Sequence, residues 1–172
     1  MLNTTKNIAA TAQQISDAGQ LDLESTHPGA NPIANSIANP IANPLGAKGL
    51  HHVALIASDY ARAKDFYTRV LGCTVLAEEY RAPRDSWKLD LQVPGGGQLE
   101  LFSFPSPPPR VSRPEACGLR HLAIAVQSVD TARQHLLAQG VGCEDIRLDE
   151  ATGKLFFFFS DPDGLPLEIY QG

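Results

Sequence analysis

The chain has 172 residues, 43% of them hydrophobic, and a formal net charge of −5. That length suits one domain, or one domain with a tail, and the apolar share is enough for a core. The acidic balance argues against nucleic acid as a main partner, because a phosphate-binding surface needs a basic excess. No apolar run reaches the roughly 20 residues of a membrane helix, and no basic stretch followed by an apolar one opens the sequence, so neither a membrane span nor a secretory leader is expected. Cys73, Cys117 and Cys143 are odd in number and lack CxxC spacing. They are expected to be reduced thiols of a cytoplasmic protein rather than a disulfide framework or a thiolate zinc site.

Residues 1–48 are expected to form an extended tail. Asn31-Pro-Ile-Ala34, Asn35-Ser-Ile-Ala38 and Asn39-Pro-Ile-Ala42 make a four-residue low-complexity repeat. Its prolines block helix and central strand, and too little apolar bulk is present to offset the entropy of ordering. The domain is expected over 49–172.

A first module spans 49–104. It opens with a strand over 51–58 that contains β-branched Val53 and Ile56. Asp59 is placed to cap a helix over 61–71, with Ala63, Phe66, Tyr67 and Val70 on one stripe, and Gly72 is placed to end it. Strands over 74–80, 87–93 and 98–104 follow, the last two joined by a turn at Pro94-Gly-Gly-Gly97. A stiff connector covers 105–117. A second module over 118–172 repeats the order: strand 119–126, helix 129–139 stopped by Gly140, then strands 141–148, 154–160 and 165–170. Asp161-Pro-Asp-Gly164 is the expected hairpin turn. The fold class is therefore α+β, two tandem βαβββ modules.

The repeat extends to polar residues. Leu50-His51-His52-Val53-Ala54 matches Leu119-Arg120-His121-Leu122-Ala123, and each module has a glutamate in its last strand, Glu100 and Glu168. The His–Glu separations are 48 and 47 positions. Because strand side chains alternate faces, each of these four residues opposes the bulky aliphatics that pack on the module's helix. A carboxylate on such a strand is costly to bury unless paired or metal-bound. Two imidazoles and two carboxylates suit a borderline or hard divalent ion. His52, Glu100, His121 and Glu168 are thus the expected metal ligands.

These residues, together with Phe66-Tyr67, Leu71-Gly72 and Asp161-Pro-Asp-Gly164, resemble the vicinal oxygen chelate superfamily, which includes glyoxalase I, extradiol dioxygenases, fosfomycin-resistance enzymes and methylmalonyl-CoA epimerase. The resemblance runs from about residue 50 to 171. It implies paired modules forming a half-barrel cup around one divalent metal, Ni²⁺ or Co²⁺ favoured, Zn²⁺ or Mn²⁺ next. The full four-residue set is closest to glyoxalase I-like bacterial metalloproteins. It implies a lyase or isomerase that transfers a proton next to a carbonyl through a metal-bound enediolate, on a glutathione or other thiol hemithioacetal, with Glu168 as the base and Glu100 assisting. It also implies a homodimer acting on a small molecule. The alternatives are a metal-dependent dioxygenase or thiol transferase of the same fold, and a non-catalytic small-molecule-binding protein. The chain departs from glyoxalase I where Ile56 and Phe104 stand in place of an Arg and an Asn that bind glutathione. Arg81, Arg84 and Lys88, and Arg113 and Arg120, are the candidate anion binders, with Arg120 expected to point away from the cup.

Overall fold

The computed structural model describes residues 43–172; the tail expected over 1–48 lies outside the described residues apart from its final few positions. Strand β1, Val53–Ala57, leads to Asp59, whose carboxylate accepts from the Arg62 amide at 3.0 Å and starts helix α1, Tyr60–Asp65. The helix widens into a π turn at Phe66–Val70, where the Leu71 amide donates to the Phe66 carbonyl. The widening brings Phe66, Tyr67 and Val70 into the core beside Ala63. Gly72, at φ +72°, then reverses the chain as expected. Strands β2, Thr74–Arg81, β3, Ser86–Gln92, and β4, Gln98–Ser103, complete a sheet of order β1-β4-β3-β2. In the second module β5, Leu122–Val126, helix α2, Val129–Ala138, β6, Arg147–Asp149, β7, Lys154–Ser160, and β8, Pro166–Gln171, give a sheet of order β5-β8-β7-β6. In both sheets the first strand pairs in parallel with the last, and the remaining pairs are antiparallel.

The chain departs from expectation over 141–148. Of the strand expected over 141–148, only the end pairs, as β6, with Cys143 making a single bridge to Phe159. Gly142, Glu144 and Asp145 are poor strand formers, and Arg133 of α2 draws the loop aside by donating to the Glu144 carbonyl and the Asp145 carboxylate. A short 3-10 turn, Ala82–Arg84, separates β2 from β3.

One face of each sheet carries the apolar core. Leu55, Ala57, Leu89, Leu91, Leu99 and Leu101 of the first sheet are buried with Phe157, Phe159, Leu167 and Ile169 of the second, in one cluster with the helices. Polar contacts join the modules on this side. The Tyr67 hydroxyl donates to Asp161 Oδ2 at 2.9 Å, the Ser58 amide donates to Asp163 Oδ2 at 3.1 Å, and His135 Nε2 lies 2.9 Å from the Val70 carbonyl oxygen, which accepts. Asp161 Oδ1 also accepts from the amides of Asp163 and Leu165, which fixes the β7–β8 turn. Burial pushes the Asp161 carboxyl and the Tyr67 phenol above their ordinary pKa values. Replacing Tyr67 with Phe removes one donor from a partly buried carboxylate. It is expected to lower unfolding free energy by about 1–3 kcal/mol, read as a shift in urea midpoint at unchanged slope.

Candidate metal centre

Strand pairing decides where the four polar residues go. Glu100 lies opposite Ala54 of β1 and Asp90 of β3, so it shares their face of the first sheet, the face away from α1. His52 immediately precedes β1 with the same parity. Glu168 lies opposite Ala123 and Phe158, with His121 just ahead of β5. Each module thus puts its imidazole and carboxylate together: His52 Nε2 is 3.5 Å from Glu100 Oε2, and His121 Nε2 is 3.2 Å from Glu168 Oε2. The glutamates are largely buried, at 15% and 12% side-chain exposure, and the histidines are open, at 37% and 35%.

The donor set fits a divalent ion. Two ligands about 2.1 Å from one ion stand about 3.0 Å apart at a right angle and about 3.4 Å apart in a tetrahedron, close to both observed separations. The rings are held from behind. His52 Nδ1 is 2.8 Å from His51 Nδ1, and His121 packs edge-on against Phe158 with centroids 5.2 Å apart. Such contacts orient an imidazole and leave Nε2 free to ligate. Lys88 Nζ lies 3.0 Å from Glu100 Oε1 and 2.8 Å from Asp90 Oδ1, so only one Glu100 oxygen faces His52. The Asp90 and Glu100 contacts hold the Lys88 ammonium above its ordinary pKa.

The two pairs do not meet within one chain. No group of three or more His, Cys, Asp or Glu side chains is close enough to hold a metal ion among the described residues. The cause is the packing already described: the modules join through their helix-bearing sides, while both His–Glu pairs sit on the opposite faces. An apolar cavity of about 200 Å³ between the modules, lined by Tyr67, Cys73, Leu99, Leu122 and Ile169 among others, contains none of the four.

The other candidates separate cleanly. Lys88 is committed to two carboxylates; Arg113 and Arg120 each approach Glu115 at 3.7 Å, away from Glu100 and Glu168; Arg84 is exposed. Ile56, 58% exposed, lies on the same face of β1 as His52. Phe104 stacks on Phe102, centroids 6.2 Å apart, and Arg81 lies over both rings. The three cysteines are free thiols; burial pushes Cys73 up to about 11, while Cys117 is exposed. Asp90 and His51 were not singled out from sequence. The strand alternation that puts Asp90 beside Glu100 was legible, but the register that makes them neighbours was not.

Residues 49–169 match the model of the Glyoxalase/Bleomycin resistance protein/Dioxygenase superfamily. The chain is 58% identical over 127 residues to YaeR of Escherichia coli (strain K12), an uncharacterized protein, covering 74% of this chain and 98% of that one. It is 31% identical over 145 residues to a 2-epi-5-epi-valiolone epimerase of Actinomyces sp, covering 72% and 79%. Among solved structures, a glyoxalase family protein from Enterococcus faecalis aligns with TM-score 0.68 and 46% identity, over 72% of this chain and 98% of that one. The fosfomycin resistance protein FosX from Listeria monocytogenes, solved with Mn(II) and sulfate, shares the fold at TM-score 0.55 and 20% identity, over 73% and 93%.

Proposed function

The chain belongs to the Glyoxalase/Bleomycin resistance protein/Dioxygenase superfamily, and from that premise we propose that it is a divalent-metal-dependent isomerase or lyase. In this proposal the enzyme moves a proton next to a carbonyl, at a site that two copies of the chain build together. His52 and Glu100 of one copy and His121 and Glu168 of the other hold the ion, with Ni²⁺ or Co²⁺ favoured over Zn²⁺ and Mn²⁺. The observation that carries the reading is the pair of half-sites: each has ligand spacing, and each is open on the side where further ligands belong. A second copy completes both sites at once through a two-fold axis. Leu50, 81% exposed, and Ile56 give the first half-site an apolar margin of the kind a partner covers.

When bound by His52, Glu100, His121 and Glu168, a divalent ion would supply Lewis-acid stabilisation for the negative charge that develops when the carbon next to the carbonyl loses its proton. Glu168 is the base. Its carboxylate is mostly enclosed, has His121 at one oxygen, and has no Lys or Arg within ion-pair distance among the described residues. It therefore keeps an oxygen free to take a proton from one carbon and return it to the next. The proton leaves and re-enters through one group, so no oxidant or reductant is consumed. Glu100 assists from the opposite side, with Lys88 Nζ 3.0 Å from its other oxygen. The relative named as an epimerase supports proton relocation over dioxygen chemistry or thiol transfer, and a complete set of four ligands disfavours a purely binding role.

Protein purified without chelators is expected to contain about one metal ion per chain, by plasma mass spectrometry. Ni²⁺- or Co²⁺-loaded protein should turn over the hemithioacetal of methylglyoxal and glutathione, or a related hydroxycarbonyl; metal-free protein under all loading conditions would end the proposal. Glu168→Gln is expected to reduce turnover by about 10²–10⁴-fold and to weaken metal retention. Two inactive variants, one with His52 and Glu100 replaced by Ala and one with His121 and Glu168 replaced by Ala, should regain about a quarter of wild-type metal sites when refolded together, because each mixed dimer has one intact site. A site within one chain would regain none.

A further inference from the structure

Arg81 is the last residue of β2 and faces the same side as Glu100: it lies opposite Ser86, and the alternation runs through Lys88, Asp90 and Glu100 across the sheet. Its guanidinium carbon sits 4.7 Å above the centre of the Phe102 ring and 5.9 Å from that of Phe104. One nitrogen, Nη2, donates to Ser86 Oγ at 2.8 Å, and Ser86 is fully buried. Nε is enclosed without a hydrogen-bond partner among the described residues. No carboxylate lies within 4.0 Å of Arg81 there, although the chain has 19 acidic residues against 14 basic ones. Arg147 makes the instructive contrast. It lies over Phe156 and Phe158 at 4.9 and 5.6 Å in the second module, but Glu144 neutralises it at 2.8 Å.

A cation partly withdrawn from water, fixed by a buried hydroxyl and two aromatic faces, and lacking a counter-ion, is organised for an anion that the chain does not supply. Phe102 follows Glu100 by two residues on one face, about 7 Å along the strand. We infer that Arg81 binds an oxyanion of the substrate, a carboxylate or a phosphate, a few bonds from the carbon that exchanges its proton at the metal centre. This deepens the proton-transfer reading and rests on it for the reacting end of the substrate. It also gives Phe104 a role, as the far half of the platform. The substrate class is a small, anionic hydroxycarbonyl compound.

The test uses the full-length protein as purified, with acetate and inorganic phosphate as separate probes. Binding is followed at the Arg81 guanidinium by nitrogen-15 NMR. One or both probes should shift the Arg81 signal saturably, and the stronger of the two identifies the anion. Arg81→Gln should weaken that anion's binding by about 10- to 100-fold, and Arg81→Lys by less, since it keeps the charge but not the fork. Arg84→Gln, three residues on and exposed, should leave it unchanged. Should Arg81→Gln fold poorly, protection of Arg81 in the wild-type protein from phenylglyoxal by the same anions, read by peptide mass spectrometry, gives the same answer. No saturable shift and no protection overturns the inference, as does an equal loss in Arg84→Gln. Anion binding at Arg81 in a chain that takes up no metal would defeat the metal-centre proposal and leave the anion site standing.

Discussion

The two-residue alternation of the strands is the constraint on which the molecule depends. In β1 and β4 it sends Leu55, Leu99 and Leu101 toward the helix and Glu100, with His52 ahead of β1, to the other side. In β5 and β8 it does the same for Ile169 and Glu168. A slip of one residue would exchange the two sets, burying a carboxylate in the core and exposing leucines. The core therefore fixes the register, and the register in turn brings each imidazole to its carboxylate. Stability and chemistry are set by one pairing pattern.

How the modules join then determines what one chain can do. Tyr67, Ser58 and Val70 of the first module meet Asp161, Asp163 and His135 of the second on the helix side. Those contacts commit the apolar faces to each other and leave both polar faces outward. The same arrangement that gives the chain one continuous core keeps its two His–Glu pairs apart.

Much of this was legible in the sequence, for specific reasons. The His–Glu recurrence, the caps at Asp59 and the stop at Gly72 are local signals, and the elements they predict are present. That His52 and Glu100 both oppose the core aliphatics of their strands follows from strand parity. What the sequence does not contain in readable form is register and packing between distant segments. It therefore left open whether the two His–Glu pairs meet in one chain. It overextended β6 because a loop drawn aside by Arg133 looks locally like a weak strand. Arg81 was one candidate cation among five; the placement of Phe102, Phe104 and Ser86 around it, of carboxylates around Lys88, Arg113 and Arg120, and the exposure of Arg84 separate it from the rest.

The outer rim of the first sheet has a consequence for how molecules meet. β2 is an edge strand of eight residues, long enough to template pairing with a neighbour. A bulge between Val75 and Ala77 breaks its regular ladder, and Glu78, Glu79 and Arg81 follow the bulge. Irregular, charged edges resist strand-to-strand addition. Open-ended stacking into fibres is thereby discouraged at β2, so copies of the chain are steered to meet through other surfaces than this edge.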